Sequence, residues 1–220
     1  MRRLLLVTLF FWPCAFALQT YSPPEVTSAG DAYEPYNVIL DGLFVLDVSI
    51  GDDGSVQGIE ALRNPGAMLG DVKSAIQNWK FQPALEGRKS KASRMTVAFV
   101  YRPTNYLGFG AAPVKDFTPV IPSAPSDDGS EASSPVGILS FAYADYPINS
   151  VASGSVLLQA TVDSAGDAKS VKILHGMDGF DGFAQSALKN WRFSAASLHG
   201  KPVTAKVVVA FIFQSPPSSN

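Results

Sequence analysis

Residues 207–213 read Val207-Val208-Val209-Ala210-Phe211-Ile212-Phe213, with no polar residue at any position. A strand with one face in water alternates apolar and polar residues, so this stretch predicts a strand that is apolar on both faces. A similar stretch occurs earlier in the chain as Met95-Thr96-Val97-Ala98-Phe99-Val100-Tyr101. An open sheet edge would tolerate the later strand poorly. We therefore expect another part of the chain, a second molecule or a partner peptide to cover it.

The similarity between these two parts of the chain extends well beyond the apolar stretches. Residues 35–101 align with residues 147–213 without a gap, and 17 of the 67 aligned positions are identical. We call the shift that places residue 35 on residue 147 the repeat offset. Average composition would give about four identities by chance. The identities include most of Asn78-Trp79-Lys80-Phe81 and its counterpart Asn190-Trp191-Arg192-Phe193, so the sequence predicts a tandem duplication.

Each repeat has the pattern of a small α+β unit. In the first repeat, apolar residues alternate over 44–50, and Gly51-Asp52-Asp53-Gly54 is typical of a turn into a second strand. Apolar residues at helical spacing over 72–79 predict one helix, and residues 95–101 form the last strand. The predicted fold class is α+β, with two small domains. Each is a three-stranded antiparallel sheet (strand-strand-helix-strand) with one helix packed on it.

Residues 1–17 have the features of a signal peptide. Two arginines precede an apolar run over residues 4–12, and Ala15-Phe16-Ala17 provides the small residues of a cleavage site. A membrane span needs about 20 apolar residues, whereas Leu4 to Leu18 comprises 15 residues and is interrupted by Pro13. We expect cleavage near Ala17 and a periplasmic or secreted location. Cleavage would also remove Cys14, the only cysteine, so we expect no disulfide.

The remaining sequence divides into two domains and a linker. The first domain is predicted at residues 33–101, the linker at 102–144 and the second domain at 145–213. The linker is rich in Pro and Ser and is expected to be an extended, mobile tether. Within it, the apolar residues Gly137 to Tyr143 are a candidate for an extra strand of the second domain.

The composition and motifs argue against several kinds of chemistry. With 17 basic and 19 acidic residues and a net charge of −2, the chain has no basic excess for nucleic acid. Its two histidines, His175 and His199, lie outside the repeated design and have no metal-binding spacing. Asp52-Asp53-Gly54 lacks the other ligands of a calcium loop, and the glycines of residues 176–182 lack a phosphate-loop pattern. We expect no cofactor, no metal site and no catalytic residue.

The second repeat carries a set of motifs in a particular order. These are Tyr146-Pro147, Gly154 before an apolar strand, Val162-Asp163-x-x-Gly166, Trp191-Arg192-Phe193-x-x-Ala196, Gly200-Lys201-Pro202-Val203 and Phe211-Ile212-Phe213. In this order and spacing they resemble the TonB C-terminal domain family. The first repeat resembles it more loosely, with Glu34-Pro35 where Tyr-Pro would stand. The resemblance implies the fold, an envelope location and a habit of binding proteins.

The resemblance also implies where a partner would bind. In the family, the last strand lies at or near a sheet edge and accepts an extended segment of an outer-membrane receptor, which satisfies its unpaired backbone groups. The corresponding candidate partner-binding residues here are Thr96, Val97, Ala98, Phe99, Val100, Val207, Val208, Val209, Ala210, Phe211 and Ile212. The expected partner is an envelope protein or outer-membrane receptor peptide. A homodimer or pairing of the two domains within one chain is also open.

Three functions remain as hypotheses. The first is a non-enzymatic periplasmic protein that binds an envelope protein or peptide by edge-strand pairing and is linked to TonB-type transport. The second is a structural module whose two domains pack on each other. The third is a membrane-retained energy transducer for outer-membrane transport. Such a transducer would have an uncleaved membrane helix, a long Pro-rich spacer and a single terminal domain, a pattern that this sequence does not follow.

Two further groups of residues have a structural and a functional interpretation. Trp79 and Trp191 end the helical stripes and are interpreted as core anchors rather than as platforms for sugars, and Phe81 and Phe193 are assigned to the core with them. The basic cluster Arg88, Lys89, Lys91 and Arg94 could contact anionic lipid or glycan. We interpret it instead as a solvated loop that discourages edge aggregation.

Overall fold

The computed structural model describes residues 20–30, 32, 42–63, 69–102, 111–123 and 133–215. The expected signal peptide at residues 1–17 lies outside these residues. The helices are α1 (Leu69–Gln77) and α2 (Asp181–Leu188). The strands are β1 (Tyr21–Ser22), β2 (Glu25–Ser28), β3 (Gly42–Ile50), β4 (Val56–Arg63), β5 (Lys80–Gln82), β6 (Ala84–Glu86), β7 (Lys89–Lys91), β8 (Ser93–Tyr101), β9 (Ser133–Ser134), β10 (Gly137–Ser140), β11 (Gly154–Val162), β12 (Ala168–His175), β13 (Arg192–Ser194), β14 (Ala196–Leu198), β15 (Lys201–Val203) and β16 (Ala205–Phe213).

Six long strands form one mixed sheet in the order β12-β11-β16-β8-β3-β4. β8 and β16 are parallel neighbours at its centre, and the other neighbouring pairs are antiparallel. The prediction of two small domains, each with its own three-stranded sheet, is therefore wrong. The two closing strands are apolar on both sides, and pairing with each other covers the edge that each would otherwise expose. Within each half, the long strands and the helix follow the predicted order strand-strand-helix-strand, with short strands added before the hairpin and after the helix.

Every element of the first half has an equivalent in the second half at the repeat offset. β1 begins at Tyr21 and β9 at Ser133, and the same offset relates α1 to α2 and β8 to β16. The sequence similarity begins at residue 35, whereas the structural correspondence begins earlier, at β1. The short strands that precede each long hairpin therefore belong to the repeated pattern.

The central strand pair is staggered by one position relative to the repeat offset. Val207 lies opposite Thr96, whereas its equivalent in the first repeat is Met95, and this stagger is kept along the pair. Equivalent residues of the two repeats point to opposite faces of the sheet, as Val97 and Val209 do. Directly paired residues on neighbouring strands point to the same face of a sheet, so two equivalent residues cannot be paired with each other here. A shift of one position pairs each residue with one that points to its own face.

Each face of the sheet buries one hydrophobic cluster. Helix α1 packs on one face, here called the α1 face, together with Leu157, Val208, Ala210 and Ile212 of the second half. Helix α2 packs on the opposite α2 face, together with Leu43, Val45, Ala98 and Val100 of the first half. Both halves therefore contribute to both clusters.

The segments that precede the two hairpins cross over to the other half. We call residues 20–30 and 32 the first arm and residues 133–144 the second arm. In the first arm, the buried Val26 donates its backbone N–H to Oε1 of Gln159 in β11 at 3.0 Å. In the second arm, the carbonyl of Val136 accepts a hydrogen bond from Oγ1 of Thr96 in β8 at 2.6 Å. Each half is thus covered on one face by its own helix and on the other by the opposite arm.

The described parts of the predicted linker are packed against the sheet. β10 pairs with β13 of the second half, which confirms the extra strand predicted within residues 137–143. Residues 111–123 form isolated bridges, Pro113 with Ala142 and Val120 with Ile138. Several of their apolar side chains contact the α2-face cluster.

The turn glycines of the two hairpins fix the distance between each hairpin and the strand after the helix. Gly54 and Gly166 have φ values of 82° and 91°. A Cβ atom at Gly54 would lie 2.3 Å from the carbonyl oxygen of Phe81, and one at Gly166 would lie 2.6 Å from that of Phe193. Glycine is required at both positions because it alone has neither the steric penalty at positive φ nor a side chain in that space.

Candidate functional site

The sequence-predicted partner-binding strands lie in the middle of the sheet. β8 is flanked by β3 and β16, and β16 is flanked by β11 and β8. The structure brings the predicted residues together in opposed pairs such as Val97 with Val208 and Phe99 with Ala210. The prediction that these strands lie at sheet edges is therefore wrong. Binding of a peptide along residues 96–100 or 207–212 would require the central pair to separate first.

The two arms are held in place by equivalent polar positions in the two halves. Arg94 pairs with the buried Asp47, and its guanidinium also donates to the carbonyl oxygens of Ser123 at 2.8 Å and Ser133 at 3.3 Å. Burial raises the pKa of Asp47, although the adjacent Arg94 acts in the opposite direction. Arg94, which sequence analysis assigned to a solvated loop, therefore anchors the second arm.

The first arm is anchored by Glu25. Its carboxylate pairs with Lys206 in β16 and, at 2.9 Å, with Lys172 in β12. Hydrogen bonds from Lys206 and Lys172 lower the pKa of Glu25 to about 2. Lys206 and Gln159 of the second half occupy the positions equivalent to Arg94 and Asp47 in the first half. The same two positions of the sheet thus hold the second arm in the first half and the first arm in the second half, with different side chains.

The four aromatic residues interpreted as core anchors lie inside the molecule. Trp79 and Trp191 are only 3% and 2% exposed, and Phe81 and Phe193 are also buried. The indole N–H of Trp191 donates to the carbonyl of Ala142 in the second arm at 3.1 Å. None of the four rings presents a free face that could stack on a sugar.

The histidines and the acidic turns do not converge into a metal site. Among the described residues, no group of three or more His, Cys, Asp or Glu side chains could hold a metal ion. Asp53 accepts a hydrogen bond from the N–H of Ser55 at 2.8 Å, so it closes the hairpin turn. In the glycine-rich loop, Asp181 accepts a hydrogen bond from the N–H of Met177 at 2.8 Å. Asp181 lies in the first turn of α2, and Phe180 is the N-cap of that helix.

The sheet retains two edge strands, β4 and β12, and they differ in exposure. In β4, Ile59 and Ala61 pack against the α1-face cluster, and the guanidinium of Arg63 lies 5.1 Å from the ring centroid of Phe117. In β12, Val171 and Ile173 at the equivalent positions are 39% and 38% exposed. β12 is therefore the more open of the two edges in the described structure.

A groove of about 490 Å³ runs beside β12, here called the β12 groove. Its apolar lining includes Val171 of β12, Leu188 of α2 and Trp191, and its rim carries Lys189 and Arg192. The sequence pattern alone does not reveal this surface. Val171 and Ile173 alternate with Ser170 and Lys172 like any half-buried strand, and only the helix position reveals that they lack cover.

No helix in the described ranges combines the length and the apolar character that a membrane crossing requires. Residues 142–214 match the model of a family described as Gram-negative bacterial TonB protein C-terminal, and the first half is not matched. No curated protein and no solved structure is similar enough to this chain to count as a match. The family is a non-catalytic one of the cell envelope. Residues 142–214 of this chain thus form one domain of the TonB C-terminal family.

Proposed function

We propose that the chain is a non-enzymatic cell-envelope protein with a role related to TonB-dependent transport, and that it binds an extended segment of an envelope protein. The observation that carries this proposal is the family match over residues 142–214, combined with an exposed edge strand in that same domain. The leader at residues 1–17 would direct the chain to the periplasm.

We further propose that strand addition occurs at β12 and not at β8 or β16. β12 pairs only with β11 among the described residues, and its residues 168–173 are all exposed. An edge strand offers every second N–H and C=O group to an incoming strand. Because the closing strands are paired with each other, an added strand at β12 leaves the sheet intact. The duplicated halves then act together as one scaffold.

A photo-crosslinking amino acid at Ser170 in the intact protein, expressed in Gram-negative cells, tests this proposal. Ser170 lies on β12, and Glu60, an exposed residue of the opposite edge strand β4, provides the control position. We expect a defined envelope-protein adduct from position 170 and not from position 60, with the crosslinked peptide identified by mass spectrometry. The same adducts from both positions would contradict the proposal.

A structural module that binds no peptide is the second candidate function. The observation that favours it is the central β8–β16 pair, which joins the halves into one sheet. Absence of any adduct along β12 would support this function.

The third candidate function is a transducer held in the membrane by an uncleaved leader. It is tested separately by determining the N-terminus of the protein from cells by mass spectrometry. A terminus near residue 18 would exclude it.

A further inference from the structure

Beside the β12 groove, strand β12 exposes apolar side chains whose equivalents in the first half are packed against the core. Val171 and Ile173 are 39% and 38% exposed, whereas Ile59 and Ala61 at the equivalent positions of the first half pack against the core. Leu188 and Trp191 also line the groove but are only 1% and 2% exposed, so Val171 provides its exposed apolar side chain. The two halves have the same architecture, but the first half packs these positions against the core. The exposed groove is therefore a feature of the second half.

The rim of the groove carries an excess of positive charge, because it holds Lys169, Lys189 and Arg192 but one carboxylate, that of Asp167. Of its charged residues, Lys169 is paired with Asp163 and Asp167 at 2.9 and 3.1 Å. Lys189 and Arg192 form no ion pair within the described part of the chain. A ligand with an acidic group would therefore complement the rim.

The edge strand beside the groove determines how a ligand would be aligned. The β11–β12 pairing shifts register at both ends and is regular from Ser170 to Ile173. Val171 and Ile173 point to the α2 face, as their partners Ala160 and Leu158 do. A strand added along this segment would place every second side chain over the groove.

We infer that the β12 groove binds an extended peptide segment that carries a large apolar residue and an acidic residue two positions apart. The apolar side chain lies against Val171, and the carboxylate pairs with Lys189 or Arg192. This inference rests on the proposed function and specifies the partner's chemistry. It commits to a peptide of another protein and not to a second copy of this chain.

Fluorescence anisotropy with the full chain and labelled eight-residue peptides tests the inference. The probe peptide contains Phe and Glu two positions apart, and its comparison peptide has Lys in place of Glu. We expect the Glu peptide to bind at least about tenfold more tightly, with the preference reduced by salt.

Arg192→Glu and its matched control Lys80→Glu sharpen the measurement. Lys80 is the exposed residue equivalent to Arg192 in the first half, and both substitutions change the charge equally. We expect Arg192→Glu to weaken the Glu peptide by about tenfold and to reverse the preference, while Lys80→Glu changes the affinity less than about twofold. Circular dichroism of both variants verifies that they are folded.

The outcomes separate this inference from the proposed function. Equal binding of both peptides, no binding of either, or equal effects of Arg192→Glu and Lys80→Glu would overturn the inference, even if Ser170 crosslinks to an envelope protein. A charge preference that depends on Arg192, without any crosslink from Ser170, would support the groove and contradict strand addition in cells. A dimer of the full chain that Arg192→Glu dissociates would assign the groove to a second copy and overturn the peptide inference.

Discussion

At the scale of single residues, Glu25 connects the two halves of the chain. It belongs to the first arm, yet both of its ion-pair partners, Lys172 and Lys206, lie in the second half. Two ammonium groups around one carboxylate account for its low pKa, which is about 2. The carboxylate side chain is 28% exposed, so solvent screens part of this attraction.

Glu25→Gln should destabilise the protein at neutral pH, and this difference should disappear in acid. The folded-state pKa of Glu25 is about 2, below the ordinary value of about 4.3. The ion pairs therefore stabilise the folded state fully above about pH 5, and this contribution is lost as the pH falls towards 2. We expect a loss of about 1 kcal/mol in the free energy of unfolding at pH 7 after screening.

Urea unfolding of the unsubstituted protein and of Glu25→Gln at several pH values between 7 and 2 would measure the difference in their free energies of unfolding. Glu60→Gln on the opposite edge is the control, because no ion pair to Glu60 is present among the described residues. A Glu25→Gln effect that is the same at pH 7 and pH 2 would contradict the assignment.

At the scale of elements, the parallel pair β8 and β16 is the most enclosed part of the sheet. Val97, Phe99, Val207 and Val209 are all 0% exposed. Each of these two strands has a neighbour on both sides, so its N–H groups have ladder partners in both directions. β12 has a neighbour only on one side, and half of its N–H groups face outward.

Native-state hydrogen exchange should therefore be slowest in β8 and β16. We expect amides of residues 96–101 and 207–213 to exchange only with global unfolding, whereas alternate amides of β12 exchange quickly. Mass spectrometry with fragmentation to single residues, or nuclear magnetic resonance, resolves this alternation. Fast exchange along 207–213 would show that the closing strands separate readily, and it would support peptide binding at those strands instead.

The sequence pattern predicted the hairpins, the helices and the need to cover the closing strands. It could not identify the cover, because an unpaired apolar strand such as Val207–Phe213 is satisfied equally by a partner peptide, a second molecule or the other repeat. The packing of the first arm was not predicted, for a different reason. Val26 is a single apolar residue among polar ones and gives no periodic signal, although it is completely buried. The groove beside β12 depends on the helix position, which strand patterns do not encode.

At the scale of the whole molecule, each half completes the core of the other. The first arm covers the second half on the α1 face, and the second arm covers the first half on the α2 face. Leu157, Val208 and Ile212 would lose this cover if the first half were removed. Exposing a large aliphatic side chain costs about 2 kcal/mol. Each half alone is therefore expected to be poorly stable as a monomer.

Residues 133–215 expressed alone should aggregate or self-associate, although they include the whole family-matched domain and its preceding arm. Addition of residues 20–102 as a separate chain should restore a soluble one-to-one complex, because the first arm and β8 then return. Size-exclusion chromatography with light scattering would measure both results, with the full chain as reference. A monomeric, cooperatively unfolding fragment 133–215 would contradict the interdependence of the halves.

The partners in the β8–β16 pair, such as Thr96 and Val207, lie far apart in the sequence. This separation delays their pairing while the protein is being made. Contacts between residues so distant in sequence form late, because closing a long loop costs entropy before any contact compensates for it. A chain that emerges N-terminus first has β3 available for one edge of β8, but the opposite edge stays unpaired until nearly the entire polypeptide, including β16, has been delivered. During that interval a holdase-type chaperone that recognises exposed apolar strands would protect it from aggregation, and overproduction would favour inclusion bodies.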